Sequence, residues 1–263
     1  MSAATTLTPA AGGQFTAGAP GIPFGRLLRV ELRKLFDTRA ARVLVILMVI
    51  GVLAVNIISV IVGRGEPQSL DAFIQGSFIP LGFLLPIIAI MSVTGEWSQR
   101  SALTTFMWEP RRARVLAAKF VAALIVALLG FVAVAASSAL SLGIAGLTGS
   151  ELDWNINEAI VAGSLIMLVT YVAQGIAFGA AVHNTAGALI LFAMLPTAVS
   201  LLTALVPFLR DIREWIDINV ASSPISVGEF GGSNVTHFLV SALLWIGLPA
   251  AIGVWRTLNR EVK

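Results

Sequence analysis

Long apolar segments alternate with more polar connections along most of this chain, from residue 41 to residue 254. A helix needs about 20 apolar residues to cross a hydrocarbon layer of about 30 Å. Segments of suitable length cover residues 41–62, 77–94, 120–147, 159–182, 186–209 and 235–254. The pattern therefore predicts an all-α integral membrane protein, with residues 24–263 forming one six-span domain.

Prolines modify two of these predicted spans. Pro80 and Pro86 lie in the short second span, which we expect to be kinked or broken because proline removes a helical hydrogen bond. Pro196 and Pro207 lie in the middle and near the end of the fifth span.

An amphipathic pattern precedes the first span. Apolar residues recur there at helical spacing: Phe24, Leu27, Leu28, Leu32, Leu35 and Phe36. Charged residues fall between them: Arg26, Arg29, Arg33, Lys34 and Asp37. The spacing predicts an amphipathic helix in the cytoplasmic interface. Two roles stay open for it, a topogenic anchor attracted to anionic lipid or an elbow helix that also contacts a partner.

Two other regions lie outside the spans. Residues 1–23 contain no charge and lack the pattern of a signal peptide, so we expect a flexible tail. A second amphipathic stripe lies between the fifth and sixth spans and predicts a short helix at the outer surface. Its apolar members are Leu209, Ile212, Trp215, Ile216 and Val220.

The composition agrees with a protein whose main solvent is lipid. Hydrophobic residues make up 57% of the chain and charged residues 12%, whereas a soluble domain carries about 25% charged residues. The chain has no cysteine, which excludes disulfides and thiolate metal sites.

The distribution of basic residues predicts the topology. Fourteen of the 17 Lys and Arg residues lie before the first span, between the second and third spans, or in the C-terminal tail. The positive-inside rule then places both termini and the 95–119 connection in the cytoplasm of a multi-pass cell-membrane protein. Glu151, Asp153 and Glu158 make the connection between the third and fourth spans acidic, which suits the outer side.

The chain lacks the motifs of an ATPase or a metalloenzyme. A phosphate-binding loop ends in Gly-Lys-Ser/Thr, but none of Lys34, Lys119 and Lys263 follows a glycine. The two histidines are predicted on opposite sides of the membrane, so we expect no metal site. A rhomboid-like serine protease using Ser164 and His237 is an alternative, although Leu165 replaces the last glycine of Gly-x-Ser-Gly.

A few polar residues inside the spans are candidates for a substrate path: Asn56, Tyr171 and Gln174. Such residues either hydrogen-bond to neighbouring helices or face an aqueous path, so helix packing is the alternative. The pair Gly175 and Gly179 permits close approach of another helix. No charged residue is predicted in mid-span, which argues against ion-coupled transport.

The connection between the second and third spans is long enough to bind a partner, with roughly 25 residues where a simple reversal needs few. Its apolar members can fill a socket in another protein: Trp97, Leu103, Phe106, Met107 and Trp108. Its arginines can face acidic groups or lipid phosphates: Arg100, Arg111, Arg112 and Arg114. An aromatic belt and topology signals are the alternative reading.

This layout resembles the membrane subunit of ABC exporters of the type-2 permease family. The residues that match the family's loop are Glu96, Ser101, Leu103, Pro110, Arg111 and Lys119. The start VELRKLFDTR also resembles the family's entry, with Glu31, Lys34 and Arg39 in matching places. The sequence departs from the family at Ser101-Ala102, where Gly-Thr is usual, and around Thr105-Phe106, where Leu-Leu is usual.

The resemblance implies a permease that is not itself an enzyme. ATP and Mg²⁺ would bind to a separate ABC ATPase subunit, and a second permease subunit would complete a homodimer or heterodimer; no cofactor, metal or nucleic acid is expected. The implied ATPase contacts on a coupling helix and a second turn are Glu96, Arg100, Ser101, Leu103, Phe106, Met107, Arg111, His183 and Asn184. The alternative function is a non-transporting membrane scaffold or immunity protein.

Overall fold

The computed structural model of the protein describes residues 22–98, 105, 107, 109 and 111–259. The first half contains α1 (Phe24–Asp37), α2 (Arg39–Val62), β1 (Gln68–Ser69), α3 (Leu70–Ser98), α4 (Arg112–Gly146) and β2 (Leu152–Asp153). The second half contains α5 (Glu158–Val182), α6 (Thr185–Leu205), a 3₁₀ helix (Pro207–Ile212), α7 (Arg213–Ile216), α8 (Ile218–Ser226), α9 (Asn234–Ala242), a π-helical turn (Leu243–Gly247) and α10 (Leu248–Asn259).

Six helical stretches in the described part of the chain are long and apolar enough to cross a membrane. They are α2, α3, α4, α5, α6 and the continuous stretch Asn234–Asn259. This confirms the prediction of an all-α, multi-pass membrane protein.

Several predicted span boundaries differ from the structure, and the helix of the third span begins at Arg112 rather than at residue 120. The second span was expected to be kinked or broken; it is one helix, Leu70–Ser98, so Pro80 and Pro86 do not break it. Membrane helices tolerate proline because neighbouring helices and local adjustments satisfy the freed backbone groups. The fifth span ends at Leu205, and Pro207 opens the 3₁₀ helix that follows.

The helix α5 is the centre of the bundle. Of its most apolar window, 67% is buried, compared with 22% for α2 and 17% for α6. Gly175 and Gly179 face α3: a Cβ added at Gly175 would lie 2.8 Å from the Pro86 carbonyl oxygen. The Gly-x-x-x-Gly pair therefore brings two spans of the same chain together, while α2 and α6 expose most of their apolar surface.

The bundle has two different ends. The end that we call the α1 end carries α1, the end of α3, the start of α4, the α5–α6 turn and the end of α10. The opposite end, called the strand end, carries the parallel pair of β1 and β2, in which Gln68 is opposite Leu152. The 3₁₀ helix, α7 and α8 also lie at the strand end, where the sequence pattern had indicated a single short helix.

Candidate functional site

Four charged side chains form a closed group at the α1 end, which we call the charge ring. Lys119 Nζ donates to Glu31 Oε2 at 2.6 Å and to Glu96 Oε1 at 3.0 Å. Lys34 Nζ donates to Glu31 Oε1 at 2.8 Å and to Glu96 Oε1 at 2.7 Å. Each acid thus bridges both lysines, and the ring joins α1, the last turn of α3 and the second or third turn of α4.

The charge ring is buried and internally neutral. The exposed fractions are 2% for Glu31, 9% for Glu96 and 4% for Lys119. The third N–H of the Lys119 ammonium reaches the carbonyl of Ser92 at 3.1 Å, so all three donors have partners. Buried charges are stable only when paired and hydrogen-bonded in this way, and removal of one partner is costly.

Lys34 is the most accessible member of the charge ring, with 37% of its side chain exposed. Partial burial by itself would lower the pKa of Lys34 because it disfavours the ammonium ion. The hydrogen bonds and charges of Glu31 and Glu96 outweigh that effect and hold the pKa of Lys34 above its ordinary value. The ammonium form is therefore the stable one at neutral pH.

A second ion pair fixes the chain between α3 and α4. Glu109, which is 3% exposed, accepts from Arg114 Nη1 at 2.9 Å. Arg114 Nη2 also donates to the Ile22 carbonyl at 3.0 Å, just before α1. Thr105 Oγ1 donates to Glu96 Oε1 at 3.3 Å, which connects this segment to the charge ring.

The α5–α6 turn is attached to α3 and α10. His183 ends α5 in the left-handed conformation, with φ of 56°. Its ring lies 4.1 Å from that of Trp97, and its Nε2 is 3.1 Å from Thr257 Oγ1. Thr94 Oγ1 and Thr185 Oγ1 are 2.8 Å apart and join α3 to the start of α6.

Two arginines extend these connections. Arg112 at the start of α4 donates to the Thr257 carbonyl in α10. Arg256, also in α10, donates to the Ala181 carbonyl near the end of α5. Polar and charged side chains therefore link several spans to one another at the α1 end, in addition to apolar contacts such as those of Leu27, Val115 and Ala118.

The structure separates the proposed ATPase contacts into interior and surface residues. Glu96 and His183 are buried and contact other helices of this chain. Met107 is 80% exposed, and Arg111 and Asn184 are also exposed. The remaining proposed contacts lie outside the described residues: Arg100, Ser101, Leu103 and Phe106.

The candidate substrate-path residues fall into two groups. Asn56 is 1% exposed and packs inside the bundle, where it accepts from Ser77 Oγ at 2.9 Å and donates to Ser137 Oγ at 3.3 Å. Tyr171 and Gln174 instead line a cleft of about 410 Å³ between α3, α5, α6 and α8.

Sequence reasoning missed Glu31, Glu109 and Asp217 as buried acids. Glu31 had a detectable signal, because it falls between Leu27 and Leu35 at four-residue spacing on the apolar face of α1. Asp217 is fully buried at the strand end, where it accepts from Ser200 Oγ at 2.7 Å. Its carboxylate also caps the start of α8. The local sequence pattern does not distinguish a buried capping aspartate from an exposed one.

The residues of the protease alternative have other partners. His237 Nδ1 lies 3.0 Å from Glu214 Oε2, and its ring makes an edge contact with Trp215. Ser164 is buried in α5, and within the described ranges no hydrogen bond joins it to His237.

No protein-family model matches this chain, and no curated protein matches it.

Proposed function

We propose that this chain is the permease subunit of an ATP-driven exporter and that it couples hydrolysis by a separate ATPase to movement of its own helices. In this proposal the α1 end faces the cytoplasm, α1 lies in the membrane interface, and the segment between α3 and α4 contains the coupling helix. ATP and Mg²⁺ belong to the ATPase subunit.

The observation that carries the proposal is that two members of the charge ring, Glu96 and Lys119, flank this segment in the sequence. Glu96 precedes residues 99–111 by one helical turn, and Lys119 follows them by about two turns. Lys119 pairs with Glu31 of α1 and with Glu96. Glu96 also accepts from Lys34 of α1. A displacement of the segment by a partner would therefore act on α1, α3 and α4 together.

The exposed and buried residues take different parts in this mechanism. Met107, Arg111 and Asn184 are exposed and would contact the ATPase, together with Arg100, Ser101, Leu103 and Phe106. Glu96 and His183 would transmit the displacement because each joins α3 or α5 to another element. We therefore assign them a positioning role rather than a direct contact.

The cleft beside Tyr171 and Gln174 supports a substrate path at the side of the bundle. Gln174 is 2% exposed, and its Nε2 has no hydrogen-bond partner in the described part of the chain. Ile79 and Phe83 on the cleft wall are 70% and 58% exposed. A second permease subunit packed against this wall would enclose the cleft, as a homodimer or a heterodimer.

The test is a coupled assay with Glu96→Gln, which removes one charge but keeps the side-chain shape. The chain is reconstituted with the ATPase subunit that co-purifies with it, and ATP hydrolysis and substrate efflux are measured together. We expect efflux per ATP hydrolysed to fall at least several-fold, while binding of the ATPase persists. Glu66→Gln, an exposed acid at the strand end, is the matched control and should leave the ratio unchanged.

Two outcomes would contradict the proposal. Equal efflux per ATP in Glu96→Gln and the unaltered chain would reject the coupling role of the charge ring. Failure of any ATPase to co-purify, with no efflux lost on deletion of the chain, would instead favour the non-transporting scaffold.

A further inference from the structure

The helix α1 has an arginine face directed away from the bundle. Its buried face consists of residues one turn apart: Leu27, Glu31 and Leu35. At 3.6 residues per turn, Arg26, Arg29 and Arg33 lie together on the opposite side. All three are exposed, and 84% of the Arg33 side chain is accessible. We call these three residues the arginine patch.

The arginine patch has a surplus of positive charge. Asp37 lies 4.0 Å from Arg33, and both side chains are mostly exposed, so water weakens this pair. Among the described residues, Arg26 and Arg29 form no ion pair. Two further exposed arginines continue the positive surface into the start of α2: Arg39 and Arg42.

The position of α1 determines what can face this patch. Only Thr38 separates α1 from α2, which is an apolar candidate span beginning at Arg39. Only 22% of the apolar window of α2 is buried in the protein, so most of that surface faces the hydrocarbon. The arginine patch therefore lies at the depth where phospholipid headgroups begin.

We propose that the arginine patch binds the headgroups of anionic phospholipids. A guanidinium presents its N–H groups in a planar fork that pairs with phosphate oxygens. Attraction to an anionic membrane surface strengthens binding about fivefold for each basic residue. Three arginines on one face therefore predict an effect of up to about 100-fold at low salt.

Lipid binding at this face would stabilise α1 in its place against the bundle. Glu31 and Lys34 belong to the same helix and contact Lys119 and Glu96 on the buried side. One short helix thus connects the membrane surface to the charge ring. The inference stands independently of the proposed function, since it requires no ATPase and no transported substrate.

The experiment measures amide hydrogen exchange of the full chain in nanodiscs. One sample contains phosphatidylcholine alone and the other contains phosphatidylcholine with about 30% phosphatidylglycerol. We expect amides of residues 24–37 to exchange at least about fivefold more slowly with phosphatidylglycerol, and the difference to shrink in about 1 M salt. Helix α5, in the centre of the bundle, should exchange equally in both samples.

The decisive variant is Arg26→Gln/Arg29→Gln/Arg33→Gln, which removes three charges from exposed positions. Of the three, Arg26 also lines a cavity beside Thr105 and Glu109. It should abolish the effect of phosphatidylglycerol, whereas the triple Arg→Lys variant should retain part of it. Arg64→Gln, an exposed arginine at the strand end, is the single-charge control and should behave like the unaltered chain.

Equal exchange of residues 24–37 in the two lipid compositions would overturn the proposal. So would an effect of phosphatidylglycerol that persists in the triple Gln variant. If inorganic phosphate in phosphatidylcholine nanodiscs slowed exchange as much as phosphatidylglycerol does, the patch would be a general anion site and the lipid assignment would be wrong.

Discussion

Two junctions at opposite ends of the bundle, that of α1 with α3 and α4 and that of α8 with α5, are held together by different kinds of contact. At the α1 end, α1, α3 and α4 meet through the charge ring, in which side chains several bonds long bridge the helices. At the strand end, α8 meets α5 through direct backbone contact. A Cβ added at Gly163 of α5 would collide with the Ile225 carbonyl oxygen.

This difference has a mechanical consequence. Long charged side chains can follow a helix that shifts by an ångström or two, because each has several staggered rotamers in which it can keep its partner. A backbone contact through glycine permits no such adjustment, since packed interiors have few alternative arrangements. We therefore expect movement to concentrate at the junction of α1 with α3 and α4, with the α5–α8 contact as the fixed point.

The largest effect should follow from Lys119→Met, which leaves Glu31 and Glu96 buried with only the half-exposed Lys34 as cation. Breaking a buried ion pair by removing one partner costs about 3–5 kcal/mol. The measurement is the free energy of unfolding in detergent. The rate of proteolysis within α1 reports in addition whether this helix stays packed against α3 and α4.

The matched control for Lys119→Met is the triple variant Lys119→Met/Glu31→Gln/Glu96→Gln, which also removes the two buried acids and leaves Lys34, whose side chain is 37% exposed, as the remaining charge of the ring. It should recover part of the lost stability, because neutral buried groups cost less than unpaired charges. A loss below about 1 kcal/mol in Lys119→Met would show that water reaches the ring and that its members are not truly buried.

The second largest effect should come from Gly163→Ala at the strand end. The added methyl group would collide with the Ile225 carbonyl, which belongs to the backbone and cannot rotate away. Overpacking of this kind costs about 1–3 kcal/mol, and it should lower the thermal unfolding temperature and detach α8.

Gly143→Ala is the control for Gly163→Ala, because it is also within a helix but its added Cβ would be 3.9 Å from the nearest atom, in Trp154. It should be neutral or stabilising by up to about 1 kcal/mol through helix propensity. Equal stability of the two variants would mean that α8 moves freely against α5, and the contrast between the two ends would be lost.

The sequence predicted the spans but not the contacts that distinguish the two ends. Apolar length locates α2 to α6 because it depends only on neighbouring residues. One partner of Glu31 is Lys119, 88 positions away, and periodicity cannot identify a partner at that distance. In the sequence, Gly163 is likewise indistinguishable from other small residues in membrane helices. A side chain is excluded there because the Ile225 carbonyl of α8 packs against it. Glu96 was predicted as functional, but its burial against α1 and α4 depends on tertiary packing.

The smallest effect should be the loss of stability when Lys34, the most accessible member of the charge ring, loses its proton at high pH. Glu31 and Glu96 hold the pKa of Lys34 above its ordinary value, so the folded state binds this proton more tightly than the unfolded chain does. The resulting stability is fully present below the ordinary lysine pKa of about 10.4 and is lost as pH rises through the higher pKa of the folded state. Because 37% of the side chain is exposed, we expect a loss of at most about 1 kcal/mol.

The comparison for Lys34 is with Lys34→Arg, whose guanidinium stays protonated over the same pH range. The free energy of unfolding is measured from about pH 9 to about pH 11.5 in both proteins. The difference between the two curves reports on Lys34. The unaltered chain should lose more stability than Lys34→Arg above about pH 10. Parallel curves would show that Lys34 contributes nothing to the ring, and the α1 end would then depend on Lys119 alone to hold Glu31 and Glu96 together.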